Sequence, residues 1–196
     1  DASQLTARLR AGTRIAACGP LLQGIGQGLI NEADINLQSL AGAISTATHG
    51  TGLGLQCYSG YVHSVRLMLA DGQAVECSPQ HNHELYQAAR AGLGAIGIIT
   101  EVTLQNRAAY RLQESVEVLP LQQALDTAER EKQQQRHIEF FAFPFGDKAI
   151  LKRSNLNTGQ PDTPPPEDDN ALLQLACDTT RRFPWLNGPV QKLLGA

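Results

Sequence analysis

The stretch that most constrains the fold is ISTATHGTGLG, which runs from Ile44 to Gly54 directly after a short apolar segment. It contains three glycines, three threonines, a serine and a histidine. Glycine lets the backbone approach a neighbour without an intervening Cβ atom, and hydroxyl groups add hydrogen-bond donors. This composition suits a solvated surface turn, or a wall that presents N–H and hydroxyl groups to an anionic ligand. Composition alone favours the turn.

The residues before this stretch predict a helix start. Ser39 is placed to cap the N-terminus of a short helix, SLAGAIS, that leads into the loop. The first turn of a helix offers unpaired N–H groups and the positive end of the helix dipole. Helix and loop together therefore form a candidate anion-binding element.

A second glycine group, Gly92, Gly94 and Gly97, has the formal spacing G-x-G-x-x-G. The dinucleotide fingerprint places these glycines after a strand and before a helix. Here they follow a predicted helix, His83–Ala91, and precede a predicted buried strand, Ile98–Leu104. The order excludes a Rossmann fold. It leaves two alternatives, close helix-to-strand packing or a backbone edge lying against a cofactor.

Elsewhere, periodicity and turn residues predict short alternating elements. For the first half they are a strand at Leu5–Leu9, a possible strand at Arg14–Cys18, a helix from Gly19-Pro20 to Gly28, and a two-residue hairpin at Asp71-Gly72 between Val65–Leu69 and Gln73–Cys77. For the second half they are a strand at Tyr110–Leu119, a helix from Pro120 to about Gln135, strands at His137–Phe143 and Lys148–Arg153, a linker at Pro161–Asn170, and a helix at Ala171–Arg182. The change of texture after Gln105 predicts a domain boundary near residue 106.

Composition restricts the partners. A formal net charge of −3 gives no basic field for nucleic acid. No apolar run approaches the roughly 20 residues that span a bilayer, and the first residues have no signal-peptide core. The chain begins with Asp1 and a strand that needs neighbours, so we expect a section of a longer protein.

The four cysteines predict a reducing compartment. Cys18, Cys57, Cys77 and Cys177 lie far apart, without the spacing of a zinc site. We interpret them as reduced thiols, with a cytoplasmic location as the expectation. The histidines near Cys77 fit a helix-entry loop better than a ligand cluster, so no metal site is predicted.

Three segments together resemble one family: LQSLAGAISTATHGTG, the hairpin VRLMLADGQAVEC, and ELYQAARAGLGAIGIITEVTLQ. They are similar to the vanillyl-alcohol-oxidase-type flavoproteins, in particular the branch that oxidises sugar-1,4-lactones and alditols, over roughly residues 5 to 106. RHIEFFAFPFGDKAILKRSN also resembles the opening of that branch's substrate domain. The resemblance implies an α+β fold. Residues 1–106 would form the second FAD-binding subdomain, an antiparallel or mixed sheet flanked by helices, and residues 107–196 the start of an α+β substrate domain.

The resemblance also implies the cofactor, FAD, and the residues near it. The implied contacts are Ser39, Ser45, Ala47, Thr48, His49, Gly50, Ile98 and Ile99. His49 is not at the family's covalent flavin position by this match, and position alone favours a hydrogen-bonding loop residue. The family's pyrophosphate loop and the charged residues above the flavin have no counterpart in this chain, so no catalytic residue is assigned.

The expected activity is oxidation of a hydroxyl of a sugar lactone or polyol, with hydride transfer to the flavin and onward transfer to oxygen or another acceptor. Two alternatives stay open at this point. One is an oxidase of the same fold for another alcohol or hydroxy acid, and the other is a non-catalytic module. By itself, this section is expected to bind FAD weakly and to be inactive.

Overall fold

The structure is a computed structural model that describes residues 1–142, 144–159 and 171–194. Contacts divide the chain into two units, Asp1–Tyr110 and Arg111–Ala196. The predicted linker at 161–170 and the last residue of the strand predicted at 137–143 lie outside the described residues. The interpretation of residues 1–106 and 107–196 as cofactor and substrate domains stays a prediction.

The first unit is built on an antiparallel sheet. Its elements are β1 (Thr6–Arg10), α1 (Ile15–Gln23), β2 (Gln27–Gly28), α2 (Leu40–Ser45), β3 (Val62–Met68), β4 (Ala74–Cys77), α3 (His83–Ala89), β5 (Ile98–Gln105) and β6 (Arg107–Ala108). Four strands form one sheet in the order β1-β5-β3-β4, and β2 pairs with β6. All of these pairings are antiparallel.

Side-chain alternation divides this sheet into an apolar and a charged face. Val65, Leu67, Val102 and Leu104 are fully buried, in one cluster with apolar residues of the three helices. On the exposed face, Arg8 pairs with Glu76 at 2.6 Å and with Glu101 at 3.3 Å. The apolar alternation therefore places the helices on one face of the sheet.

The strand predicted at Arg14–Cys18 is wrong, because these residues lead into and begin α1. Ile15, Cys18 and Leu22 are the buried residues of this helix, and their spacing is helical rather than alternating. Pro20 lies inside the helix instead of opening it, and the helix ends at Gln23 rather than near Gly28. The helical period of the buried residues outweighed the Gly-Pro signal.

The predicted hairpin is confirmed in β3 and β4, with a longer loop than expected. Met68 pairs with Ala74, and the Leu69 N–H donates to the Gln73 carbonyl oxygen at 2.9 Å, so residues 70 to 72 form the turn. Gly72 has φ +81°, and the Asp71 carboxylate accepts from the Gln73 N–H at 2.9 Å. A three-residue loop that ends in a left-handed glycine is a common hairpin connection.

The second unit also contains an antiparallel sheet. Its described elements are β7 (Arg111–Pro120), α4 (Leu121–Glu131), β8 (His137–Ala142), β9 (Lys148–Asn157), α5 (Ala171–Arg182) and α6 (Asn187–Leu194). The sheet order is β7-β9-β8, and α4 packs on it over Leu119, Ala149 and Leu151. The predicted β-α-β-β order and the α+β class are confirmed. No helix in the described ranges is long and apolar enough to cross a membrane.

An ion-pair network attaches α4 to the central strand of the second unit. Arg153 Nε donates to Glu131 Oε2 at 2.7 Å, and its Nη1 lies 3.2 Å from Glu117 Oε2. Arg153 and Glu131 are mostly buried, with side-chain exposures of 16% and 19%. Hydrogen bonding from Arg153 lowers the pKa of the Glu131 carboxyl, so this carboxyl is ionised at neutral pH.

We expect Glu131→Gln to destabilise the protein by about 1 kcal/mol at neutral pH, since it replaces a charge-assisted hydrogen bond. The folded-state pKa of Glu131 lies below the unfolded value, so its stabilisation is present above the unfolded pKa and is lost as the pH falls through the folded pKa. The difference in melting temperature between wild type and variant should narrow as the pH is lowered from neutral to acidic. Glu129→Gln on the same helix, which removes an exposed pair with Lys132, is the control and should change little. A gap that widens on acidification would contradict this prediction.

Candidate functional site

The candidate site begins at α2, where the predicted N-cap is confirmed. The Ser39 hydroxyl accepts a hydrogen bond from the Gly42 N–H at 3.3 Å. Ser39 is half-buried at one end of the helix, and Ser45 is the last residue at the other. The two serines therefore do not lie side by side, and Ser39 uses its hydroxyl within the helix start.

The chain leaves α2 through a tightly bonded turn. Thr48 donates its N–H to the carbonyl of Ala43 at 2.9 Å, and Ala47 donates to the carbonyl of Ile44 at 3.1 Å. Ala47 has φ +53°, a left-handed conformation that non-glycine residues rarely adopt. The hydroxyls of Thr46 and Thr48 lie 3.2 Å apart. The turn thus holds a strained backbone shape beside two hydroxyl groups.

His49 and Gly50 are adjacent in the loop but differ in their exposure. His49 is exposed, and its Nδ1 lies 3.0 Å from the Gly50 carbonyl oxygen, which accepts the bond. This contact agrees with the interpretation of His49 as a hydrogen-bonding loop residue. Gly50 packs so closely that a Cβ atom there would lie 2.2 Å from the carbonyl oxygen of Glu32. Glycine at this position is therefore a steric requirement.

The glycine-rich turn before β5 is the second part of the site. Leu93 donates its N–H to the Ser45 carbonyl at 3.1 Å, which joins this turn to the end of α2. Ala91 and Leu93 have φ of +60° and +52°, and Gly94 has +77°. A Cβ atom at Gly97 would lie 2.7 Å from the Met68 carbonyl oxygen, so the turn packs closely on β3. The structure thus brings the two glycine-rich stretches together.

The two isoleucines after this turn have different surroundings. Ile98 is 69% exposed, whereas Ile99 is half-buried and packs against the core. Ser45 and Ile99 both line a cavity of about 10 Å³ between the turn and the core. That volume holds at most one water molecule. A large ligand would therefore have to lie on the open surface of the two loops.

The donors on that surface are neutral. Within the part of the chain that the structure describes, the backbone N–H groups of His49, Gly50 and Gly94 have no hydrogen-bond acceptor. The threonine hydroxyls beside them add further polar groups. Neutral N–H and hydroxyl groups on a glycine-rich surface fit the polar ring edge or the phosphates of a flavin nucleotide.

Two buried titratable groups of the first unit, the Tyr58 phenol and the Cys18 thiol, hold their protons at neutral pH. Burial raises the pKa of the Tyr58 phenol to about 12. Burial, with the nearby Glu32 carboxyl, raises the pKa of the Cys18 thiol to about 11. Cys57 differs, since a hydrogen bond with the Ser59 hydroxyl lowers its pKa. All four cysteines are free thiols, and no group of three possible metal ligands occurs among the described residues.

A larger groove lies elsewhere on the first unit. It measures about 400 Å³ and includes none of the predicted site residues. Its lining contains Arg8, His63, Ser64, Glu76, His81 and Thr103, mostly from the charged side of the sheet. The groove is therefore separate from the candidate site in its lining residues.

Sequence reasoning missed the buried residues that hold the loop in place by hydrogen bonds. Asn31 and Tyr58 are each 3% exposed and bond to the loop or to the segment beside it. They stand outside any alternating or helical pattern, so periodicity did not identify them. The available signal was an asparagine directly after the apolar pair Leu29-Ile30.

Comparison with known proteins gives matches along both units. Residues 1–78 match the family model for an FAD binding domain, and residues 102–195 match that for D-arabinono-1,4-lactone oxidase. L-gulono-1,4-lactone dehydrogenase of Mycobacterium tuberculosis is 35% identical over 95% of this chain and 44% of its own length. D-arabinono-1,4-lactone oxidase of Yarrowia lipolytica is 31% identical over 75% of this chain and 28% of its own. The chain thus spans less than half the length of these relatives.

A solved structure supports the fold. Cholesterol oxidase from Brevibacterium sterolicum matches 96% of this chain and 42% of its own, with a TM-score of 0.74 and 19% identity. The sheet, its flanking helices and the paired loops therefore define a flavoprotein fold of the vanillyl-alcohol-oxidase type. Within that class, the chain belongs to the sugar-1,4-lactone oxidase and dehydrogenase family, and its cofactor is FAD.

Proposed function

We propose that the full-length protein is an FAD-dependent oxidoreductase that oxidises a hydroxyl group of a sugar lactone or polyol. The similarity to proteins named as L-gulono-1,4-lactone dehydrogenase and D-arabinono-1,4-lactone oxidase supports this substrate class. The former is named a dehydrogenase and the latter an oxidase, so either oxygen or another acceptor fits as the final oxidant. The match to cholesterol oxidase supports the fold and adds nothing about substrate.

The observation that carries the proposal is the backbone contact between the two glycine-rich stretches. The hydrogen bond from Leu93 to Ser45 places the turn before β5 beside the loop after α2. We propose that FAD lies across this joined surface, with the N–H groups of His49, Gly50 and Gly94 as donors. Ser39, Ser45, Ala47, Thr48, Ile98 and Ile99 complete the proposed set of contact residues.

The chemistry divides between cofactor and protein. Bound FAD supplies hydride acceptance from a substrate C–H bond. The residues of this chain bind and orient: the loop donors hold polar atoms, and the close packing of Gly50 fixes the loop position. The high pKa values of Cys18 and Tyr58 argue against either group as the base that removes the substrate hydroxyl proton.

The first test is the visible absorbance spectrum of the full-length protein purified from cells. We expect flavin bands, and their bleaching on anaerobic addition of L-gulono-1,4-lactone or D-arabinono-1,4-lactone. Cholesterol and an alditol serve as comparison substrates for the other oxidases of this fold. A colourless protein that fails to bind added FAD would refute the proposal, whereas a flavoprotein that none of these substrates reduces would support the non-catalytic module.

A cytoplasmic location is also proposed, supported by the four free cysteines and tested by cell fractionation.

A further inference from the structure

Asn31 is a buried residue whose side-chain amide forms hydrogen bonds with the loop after α2. It is 3% exposed, and its Nδ2 donates to the carbonyl oxygens of Thr51 and Gln56, each at 3.3 Å. Its Oδ1 accepts from the Glu32 N–H at 3.0 Å. One side chain therefore connects two points of the loop to the segment that follows β2. A buried amide costs free energy unless its polar atoms are paired, so these bonds favour one loop shape.

The loop also packs tightly against this segment at Gly50. A Cβ atom at that position would lie 2.7 Å from Asn31 Oδ1. No side chain separates the Gly50 backbone from the asparagine. The path of the peptides on either side of Gly50 therefore follows the position of Asn31.

Tyr58 attaches the chain after the loop to the same segment. Its N–H donates to the Thr48 carbonyl at 3.0 Å, and its hydroxyl accepts from the Ala33 N–H at 3.2 Å. Tyr58 is itself 3% exposed. Asn31 and Tyr58 thus connect residues 48 to 58 to residues 31 to 33 in the absence of strand pairing there.

We propose that Asn31, assisted by Tyr58, is a positioning residue for FAD: it fixes the loop so that the His49 and Gly50 N–H groups are set to bind the cofactor. The inference rests on the proposed function of the same loop. Asn31 acts through the Thr51 and Gln56 carbonyls and is not itself a catalytic residue. Its loss would leave the loop mobile, and binding FAD would then have to order it.

The test uses Asn31→Leu in the full-length protein, produced in flavin-depleted cells and titrated with FAD. The leucine retains similar volume and removes all three hydrogen bonds, so we expect the half-saturating FAD concentration to rise about tenfold. Hydrogen exchange of peptides covering residues 46 to 57 should accelerate before FAD is added. Tyr58→Phe, a milder change, removes only the bond from Ala33 and should raise the half-saturating concentration by a smaller factor.

The matched control is Asn106→Leu. Asn106 is another buried asparagine of the same unit, 3% exposed, whose Nδ2 donates to Gln27 Oε1 at 2.8 Å rather than to a residue of the loop. We expect it to lower the melting temperature without changing the half-saturating FAD concentration.

The outcomes separate the two hypotheses. If Asn31→Leu does not fold, Tyr58→Phe against Asn106→Leu decides the question. The positioning role would be overturned if both loop variants had the half-saturating FAD concentration of the wild type, or if Asn106→Leu raised that concentration as much as the loop variants do. Either result would leave the proposed function intact. A wild-type protein that binds no FAD would instead overturn the proposed function.

Discussion

Gly50→Ala in the full-length protein is expected to yield a protein that is purified with little FAD and turns over about a hundredfold more slowly. The new methyl group would lie 2.2 Å from the Glu32 carbonyl oxygen and 2.7 Å from Asn31 Oδ1. Both neighbours are held, the first as backbone and the second by its own hydrogen bonds. The loop must therefore move away from residues 31 and 32. Overpacking of this kind costs about 1–3 kcal/mol of folding free energy.

Gly12→Ala is the matched control for this substitution. Gly12 lies between β1 and α1, and a Cβ atom there would contact nothing within 4 Å. We expect wild-type FAD content and turnover, measured from the ratio of flavin to protein absorbance and from steady-state rates. If Gly50→Ala retained full flavin content and activity, the loop after α2 would not be the surface on which FAD rests.

Elements with a complete local signal could be predicted from the sequence. The Asp-Gly pair between alternating strands identified β3 and β4, and the β-branched run after Gly97 identified β5. The same holds for Ser39, whose side chain can cap a helix wherever the following residues allow one. Each of these structures depends mainly on residues adjacent in the chain.

Features that depend on distant residues could not be predicted in this way. The segment from Arg14 carries apolar residues that fit either period over a few positions, and packing against the sheet selected the helix. The hydrogen bond from Leu93 to Ser45 joins two backbone groups, so the types of these two residues do not predict it. Asn31 likewise acts on carbonyl groups far along the chain. The resemblance identified the loops, whereas the contacts that shape them required the structure.

Leu151→Ala is expected to destabilise the second unit by about 3 kcal/mol, within the range for a fully buried leucine. Leu151 is 0% exposed on β9, the central strand, and the buried cluster of this unit otherwise contains only Leu119, Ala124 and Ala149 among the described residues. Two of these neighbours are alanines, which cannot extend into the vacated space, so most of the cavity would persist.

Hydrogen exchange on the full-length protein measures this effect by region. Peptides from β7, β8 and β9 should exchange much faster in Leu151→Ala, because the strands on both sides of β9 lose their common core. Leu156→Ala provides the control on the same strand, since Leu156 is 47% exposed and its truncation should cost less than about 1 kcal/mol. Equal protection in the two variants would contradict the placement of Leu151 at the centre of this core. A selective loss in Leu151→Ala would show that the stability of this sheet depends on the small cluster beneath α4.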